Sequence, residues 1–252
     1  VDRPDWVSPE IDIERPSAAR MYDYYLGGSH NFAADRQAAE ALIAAVPDVT
    51  VGVKANRAFL RRAVRLLAGR GVTQFLDIGS GIPTVGNVHE VAQAVVPEAR
   101  VVYVDLDPVA VAHSREILAG DERTAVIEED LRRPRRILDH PETRRVLDLE
   151  QPVGLILAAV LHFIPDADDP AGLVAALHGA LAPGSHVLIS HGSAVVRPSQ
   201  AKVGEDVYRT TATPLSLRDP AQVAAFFAGL ELVEPGIVWA PQWHPDSPAE
   251  VG

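Results

Sequence analysis

Five short apolar runs, Gln74–Ile78, Val101–Val104, Thr124–Glu128, Val153–Val160 and His186–Ser190, alternate with stretches of helical periodicity and constrain the fold more than anything else in the chain. Strands that are apolar nearly throughout belong to a sheet buried on both faces, and the helices between them supply the cover. A mostly parallel α/β sheet is therefore predicted. The intervening helices are read at Asn87–Val96, at Pro108–Leu118 with Asp107 as N-cap, and at Pro170–Leu181 ahead of Ala182-Pro183-Gly184. Upstream, residues 1–20 read as an arm and Arg36–Val46 as an alanine-rich helix. Asn56–Ala68 carries Leu60, Val64 and Leu67 on one helical face, with Arg61, Arg62 and Arg65 off it, and Gly69 and Gly71 end it. After an irregular stretch over 192–218, Asp219-Pro220 opens a helix to Ala228. Leu230–Val233 and Ile237–Trp239, separated by Glu234-Pro235-Gly236, then read as a closing hairpin. The division expected is 1–70 for the arm and a helical lid, and 71–252 for the sheet domain, packed as one unit.

Composition narrows the function classes. Against 23 basic residues stand 34 acidic ones, a net charge of −11, which repels a phosphate backbone. The one basic cluster, Arg132, Arg133, Arg135, Arg136, Arg144 and Arg145, is mixed with Asp139, Glu142 and Asp148 and lacks interleaved aromatics, so it reads as a solvated helix face. No nucleic-acid partner is expected. With no cysteine there is neither thiolate metal site nor thiol nucleophile, and no His/Asp/Glu spacing matches a zinc motif, so no metal is expected. The longest apolar stretch, Val153–Ile164, is too short for the ~20 residues of a membrane span and is broken by His162. Val-Asp-Arg-Pro-Asp-Trp at the start lacks the basic-then-apolar order of a signal peptide, so a soluble cytoplasmic protein is the expectation.

The sharpest motif closes the first strand: Asp77-Ile78-Gly79-Ser80-Gly81-Ile82-Pro83-Thr84. Glycines there let the backbone turn tightly and approach a ligand. A dinucleotide fingerprint wants a third glycine where Thr84 stands, and an acid two residues before Gly79 repels a pyrophosphate while suiting a cationic or amine-bearing ligand. Asp105 ends the second strand, where a carboxylate accepts hydrogen bonds from ribose hydroxyls; Asp107 already has a task as N-cap. Asp130, followed by Leu131, ends the third. One such acid is a turn residue; three at the carboxyl ends of successive parallel strands mark the edge where open α/β sheets bind ligands.

This pattern resembles the class I S-adenosylmethionine-dependent methyltransferases. More narrowly, Tyr22-Asp23-Tyr24-Tyr25-Leu26-Gly27-Gly28, Asn31-Phe32-Ala33-Ala34-Asp35-Arg36, Gly86-Asn87-Val88-His89-Glu90-Val91-Ala92 and Val160-Leu161-His162-Phe163 resemble an actinobacterial methyltransferase family long catalogued as a domain of unknown function. The resemblance spans residues ~15 to ~240, nearly the whole chain. It implies a Rossmann-like sheet of seven strands, the last reversed, with an N-terminal helical lid, and S-adenosyl-L-methionine as cofactor. It implies further that Asp77, Gly79 and Gly81 hold the methionine end, Asp105 the ribose, and Asp130 with Leu131 the adenine, with Ser80, Thr84 and Leu106 also at the cofactor site. Ala158 and Ala159 would offer backbone groups to the amino-acid moiety. Pro83 departs from the general class I glycine loop, and Asn87 with Glu90 forms a capping box that starts the next helix late.

Several assignments stay open at the level of sequence. Tyr22, Tyr25, Asn31 and Phe32, around the Gly27-Gly28 pair, suit either a lid over cofactor and substrate or plain glue for an extra helical layer. His162 is placed to accept a proton from the methyl acceptor, or merely to shape its pocket together with Phe163 and His191. The expected reaction is attack by an unidentified small molecule on the sulfonium methyl, in which alignment does most of the work. Its rivals are a protein that binds S-adenosylmethionine without methyl transfer, a nicotinamide-dependent oxidoreductase, and a non-catalytic interaction module.

Overall fold

The computed structural model describes residues 11–83, 86–193, 195, 198–209, 211 and 213–247. Residues 1–10 of the expected arm, and Thr84 of the expected cofactor loop, lie outside them. Strands β1 (Gln74–Ile78), β2 (Arg100–Asp105), β3 (Thr124–Glu128), β4 (Gly154–Ala158) and β5 (His186–Ser190) run parallel in the order β3-β2-β1-β4-β5. The strand order reverses between β1 and β4, which opens a crevice at their carboxyl ends.

Alternation along the strands decides which side chains face which helices. Before the sheet come α1 (Ala18–Tyr25), α2 (Ala33–Ala45) and α3 (Val49–Gly69). Phe59, Leu60, Val64 and Leu67 of α3 pack on Phe75, Val101, Tyr103 and Ile156 of the sheet, as do Val88 and Ala92 of α4 (Val88–Val95) and Val111 of α5 (Pro108–Ile117). Leu76, Ile78, Val102, Val104, Leu155 and Leu157 fill the opposite face. They are covered there by Ile137, Val146 and Val174 from α6 (Pro134–Leu138), α7 (Pro141–Val146) and α8 (Pro170–His178). Asp77 and Asp105 share the parity of Phe75 and Tyr103, so both stand on the α3–α5 side.

Three features differ from the sequence expectation. The sheet has five strands rather than seven: Leu230–Val233 and Ile237–Trp239 do not form the closing hairpin. That segment satisfies itself through local turns, Gly236 N–H to Val233 O and Gln242 N–H to Trp239 O, and leaves Leu232, Ile237, Val238 and Trp239 exposed. Secondly, α1 lies partly within the expected arm, and α9 (Pro198–Tyr208) crosses the stretch read as irregular; α10 (Pro220–Ala224) follows. Both α1 and α9 depend on tertiary packing, because Met21, Tyr25, Ala39, Leu42 and Tyr208 bury one another in a cluster that neither helix forms alone. Thirdly, α3 begins seven residues before the expected Asn56, through the helix-poor Val49–Val53, since Val49 and Val53 join the same cluster. Among the described residues no helix is long and apolar enough to cross a membrane.

Candidate functional site

The loop after β1 is built on two left-handed glycines, Gly79 at φ +74° and Gly81 at φ +68°. A Cβ on Gly79 would stand 2.4 Å from Val160 Cγ2, so the loop rests directly on the chain that leaves β4. The amides of Gly79 and Ser80 both donate to Val104 O, at 2.8 and 3.2 Å, and Gly81 N–H donates to Asp105 Oδ2 at 2.7 Å. The turn is thereby pinned to β2. Ser80 Oγ is buried with no hydrogen-bond partner among the described residues, a cost of about 1–3 kcal/mol unless something in the crevice answers it.

Asp77 is 5% exposed and Asp105 9%. Burial pushes Asp77 up to about 7; the Arg57 guanidinium opposes the rise and the charge of Asp105 adds to it. Burial likewise pushes Asp105 up to about 6, although the amides of Asp107 and Gly81 favour its ionised form. Two neighbouring desolvated carboxyls thus titrate closer to neutral pH than free ones, and a cationic ligand would favour the ionised form of both. Arg57, Asp77, Ser80, Gly81, His89 and Tyr103 line one narrow cleft beneath the loop. On its floor the Tyr103 hydroxyl accepts from His89 N–H at 2.8 Å and lies 2.7 Å from His89 Nδ1. Burial and the neighbouring Asp77 keep that phenol well above its usual value.

The other expected cofactor contacts are less uniform. Asp105 Oδ1 accepts from Asp107 N–H at 2.8 Å, and the Leu106 amide also favours the ionised carboxylate. Leu106 beside it is 49% exposed, an apolar surface at the strand end. Asp130 is engaged by Arg132, whose Nε and Nη2 reach its carboxylate at 3.0 and 2.7 Å. Burial alone would raise this carboxyl, but Arg132 outweighs burial and holds it below its ordinary value. The Leu131 side chain is turned into the core on the α6–α8 face. Ala158 is paired in the β4–β5 ladder opposite Ser190. Ala159 is left-handed at φ +55°, and its N–H is taken by Ser190 O and Oγ at 3.1 and 2.9 Å. A non-glycine residue in that region stores strain of order 1–3 kcal/mol.

The N-terminal aromatics take up different positions. Phe32 is buried against Ile82 of the glycine loop and Val109 and Ala110 of α5, with the Arg20 guanidinium 5.1 Å over its ring. Tyr25 lies in the cluster with Tyr208, away from the loop. Asn31 is spent inside its own segment, its Nδ2 donating to Asp23 Oδ2 at 2.8 Å and to Gly28 O at 3.0 Å. Tyr22 belongs to a chain of hydrogen bonds: Ser190 Oγ donates to Asn56 Oδ1 at 2.5 Å, and Asn56 Nδ2 donates to the Tyr22 hydroxyl at 2.9 Å. The segment is fastened at Asp107, whose carboxylate caps Val109 N–H at 2.8 Å, accepts from the Ser17 hydroxyl, and faces Arg20 Nε at 3.7 Å.

His162 stands in a 3-10 turn just past β4, and His191 just past β5, their rings edge-on at 5.3 Å. Gly192 N–H donates to His162 Nδ1 at 3.1 Å, so the neutral ring carries its proton on Nε2. Burial pushes His162 down to about 3, with His191 and Arg218 adding to the effect. Phe163 stacks edge-on to His162 at 4.5 Å and lies 5.3 Å from Tyr208. Sequence reasoning did not single out Arg57, Tyr103, Asn56, Ser190 or Arg218. Only Arg57 carried a signal, as a cation on α3 ahead of the strand that holds Asp77. Among the described residues no group of three or more His, Asp or Glu side chains is arranged to hold a metal ion.

Comparison with known proteins places this geometry. A family model of S-adenosyl methyltransferases matches residues 4–251. The fold superposes on a DUF574 family protein from Streptomyces avermitilis MA-4680 with TM-score 0.91 and 45% identity, covering 94% of this chain and 92% of that one. A provisionally named methyltransferase from Thermobifida fusca YX gives TM-score 0.92 and 41% identity, over 97% of this chain and 92% of that one. An O-methyltransferase family protein from Burkholderia thailandensis, 16% identical, shares the fold at TM-score 0.54 over 89% of this chain and 61% of that one. A comparison with curated protein sequences finds no match. With the family model covering nearly its full length, the chain belongs to the S-adenosyl methyltransferase family.

Proposed function

We propose that the chain transfers a methyl group from S-adenosylmethionine to a small-molecule nucleophile. The observation that carries this reading is the pairing of Asp77 and Asp105 at adjacent strand ends around a left-handed glycine loop whose Ser80 hydroxyl lacks a partner. Such a site fits a ligand that is cationic at one end and rich in hydroxyls at the other. Asp77 and Ser80 would hold the amino-acid end, Asp105 the ribose, and Leu106 an apolar face of the adenine. When bound, the cofactor supplies an electrophilic sulfonium methyl, to which the acceptor's lone pair bonds as the sulfur–carbon electrons return to sulfur.

The chain's own contribution is alignment and exclusion of water. Phe32 covers the glycine loop, and the Ser190–Asn56–Tyr22 chain ties the β5 end to the N-terminal helices. Positioning of this kind can supply roughly 7–11 kcal/mol without a dedicated base. The acceptor side is bounded by His162, Phe163 and Tyr208, whose phenol burial pushes up to about 12. Aromatic and neutral polar groups suit a small metabolite, and the net charge of −11 disfavours a polyanion.

Calorimetric titration with S-adenosylmethionine, S-adenosylhomocysteine and NAD tests the cofactor assignment. Saturable one-to-one binding of the first two with NAD silent is expected; silence from both, or heat from NAD alone, overturns it. Release of S-adenosylhomocysteine with members of a small-molecule library then separates turnover from binding alone.

A further inference from the structure

We infer that Arg218 and His191 are positioning residues that hold His162 as a neutral imidazole protonated on Nε2, so that His162 takes no proton from a methyl acceptor. The inference rests on the methyl-transfer reading for the acceptor, but not for the state of the ring.

The direction of every bond in the chain is set by groups that have no choice. A guanidinium only donates, so His191 Nε2, 3.0 Å from Arg218 Nη1, must accept. The proton of His191 then sits on Nδ1, which donates to Gly192 O at 2.6 Å, an atom that only accepts. The two ends of the ring thus agree on one tautomer. On the other side of the same residue, Gly192 N–H only donates, so His162 Nδ1 accepts at 3.1 Å. The one lone pair of His162 is therefore directed at the backbone, and the other ring nitrogen, Nε2, carries the N–H. Neither ring has room for a second proton, because an imidazolium would set N–H against N–H at Gly192 or against the guanidinium.

Arg218 is built to hold this arrangement still. It is 4% exposed, and its Nη1 and Nη2 donate to Leu161 O and Ile164 O at 3.0 and 2.8 Å, which fixes the turn that carries His162. Asp166 neutralises it at 2.6 Å, and the Phe226 ring lies 5.4 Å beneath it. Ser216 N–H donates to His162 O at 2.7 Å, a second stitch from the same segment. Gly192 admits the close approach, since a Cβ there would stand 2.7 Å from Leu217 Cδ2 and 3.7 Å from His162 Nδ1. Among the described residues, the ionisable groups around His162 are His191 after β5, Arg218 with Asp166 behind it, and Tyr208 of α9 beyond Phe163. None of them is a free anion that would stabilise an imidazolium.

The test is long-range proton–nitrogen NMR on the full chain labelled at histidine nitrogens, with His162→Gln used to assign the His162 signals. The expected result is His162 protonated on Nε2 alone, unchanged from pH 5 to pH 8, with His191 protonated on Nδ1 alone. Arg218→Met should release His191 into both tautomers and move the His162 nitrogen shifts from their wild-type positions, and Arg218→Lys should restore the single forms in part. Protonation of His162 on Nδ1, or a wild-type titration near the ordinary 6.5, overturns the donor assignment. A His162 signal unmoved in folded Arg218→Met overturns the positioning role of Arg218. None of these readings uses cofactor or acceptor, so they stand apart from failure of the methyl-transfer reading itself.

Discussion

Gly79 and Val160 meet so closely that the bond from Cα to any side chain on Gly79 would end inside the Val160 isopropyl group, 2.4 Å from Cγ2. One residue follows β1 and the other closely follows β4, so the contact closes the switch point of the sheet. Gly79→Ala should cost about 1–2 kcal/mol for a left-handed alanine and a further 1–3 kcal/mol or so for overpacking. Gly81→Ala, at similar φ but with open space around it, should cost only the first part. Urea unfolding of both variants checks the difference, and Val160→Ala should recover part of the Gly79→Ala loss. Equal losses at the two glycines would remove the contact from the account.

Asp77→Asn should change the pH dependence of stability in a defined sense. Asp77 titrates at about 7 in the folded chain against an ordinary 3.8, so between those values the folded state binds more protons than the unfolded one. Stability contributed by this group therefore falls as pH rises from about 4 to about 7 and stays low above. Asparagine cannot ionise, so the variant should exceed the parent at pH 8 and match it near pH 4, with a gain bounded by about 1.4 kcal/mol per unit of raised pKa. Unfolding curves at the two pH values decide it; a variant weaker than the parent at pH 8 contradicts the burial argument. Titration calorimetry on the same variant should show loss of S-adenosylmethionine affinity.

Asp105→Ala should weaken S-adenosylmethionine binding by about 1.5–3 kcal/mol, the range for hydrogen bonds to a charged group. Part of that loss should come through Gly81, whose N–H loses its acceptor. An unchanged affinity in a folded variant removes Asp105 from the ribose site.

Tyr22→Phe and Ser190→Ala break opposite ends of one hydrogen-bond chain through Asn56. Each should cost about 0.5–1.5 kcal/mol, and the double variant should cost less than the sum, because Asn56 is already unmoored after the first change. A double-mutant cycle by thermal unfolding measures the coupling; strict additivity would mean that the chain does not act as a unit.

Much of this architecture was legible because strand and loop chemistry are local. Gln74–Ile78, Thr124–Glu128 and His186–Ser190 have the bounds predicted from their apolar runs, and Asp107-Pro108 opens α5 as the capping pattern requires. The two central acids were legible for the same reason, since a strand end is a position that sequence can mark. What escaped is non-local. Met21 and Tyr25 make α1 a helix only by burying against Leu42 and Tyr208, residues distant in sequence. The engagement of Asp130 by Arg132 requires a side-chain geometry that spacing does not specify. The hairpin expected over 230–239 had two short apolar runs around Glu234-Pro235-Gly236, yet the backbone bonds there are local turns such as Gly236 N–H to Val233 O. Arg218 gave no signal, because its partners Leu161 O, Ile164 O and His191 are gathered from two other loops.

Asp107 serves two masters with one residue. Its backbone N–H holds the carboxylate of Asp105, while its own carboxylate holds Ser17 and faces Arg20 from the N-terminal layer. A ligand that draws on Asp105 is thus connected, through a single peptide, to a segment some ninety positions upstream in sequence. Linkage makes such a connection run both ways. Whatever free energy a bound ribose would contribute to ordering the N-terminal helices, those helices would return in full as tighter hold on it, so under the proposed function the N-terminal layer and the ribose seat form one thermodynamic object.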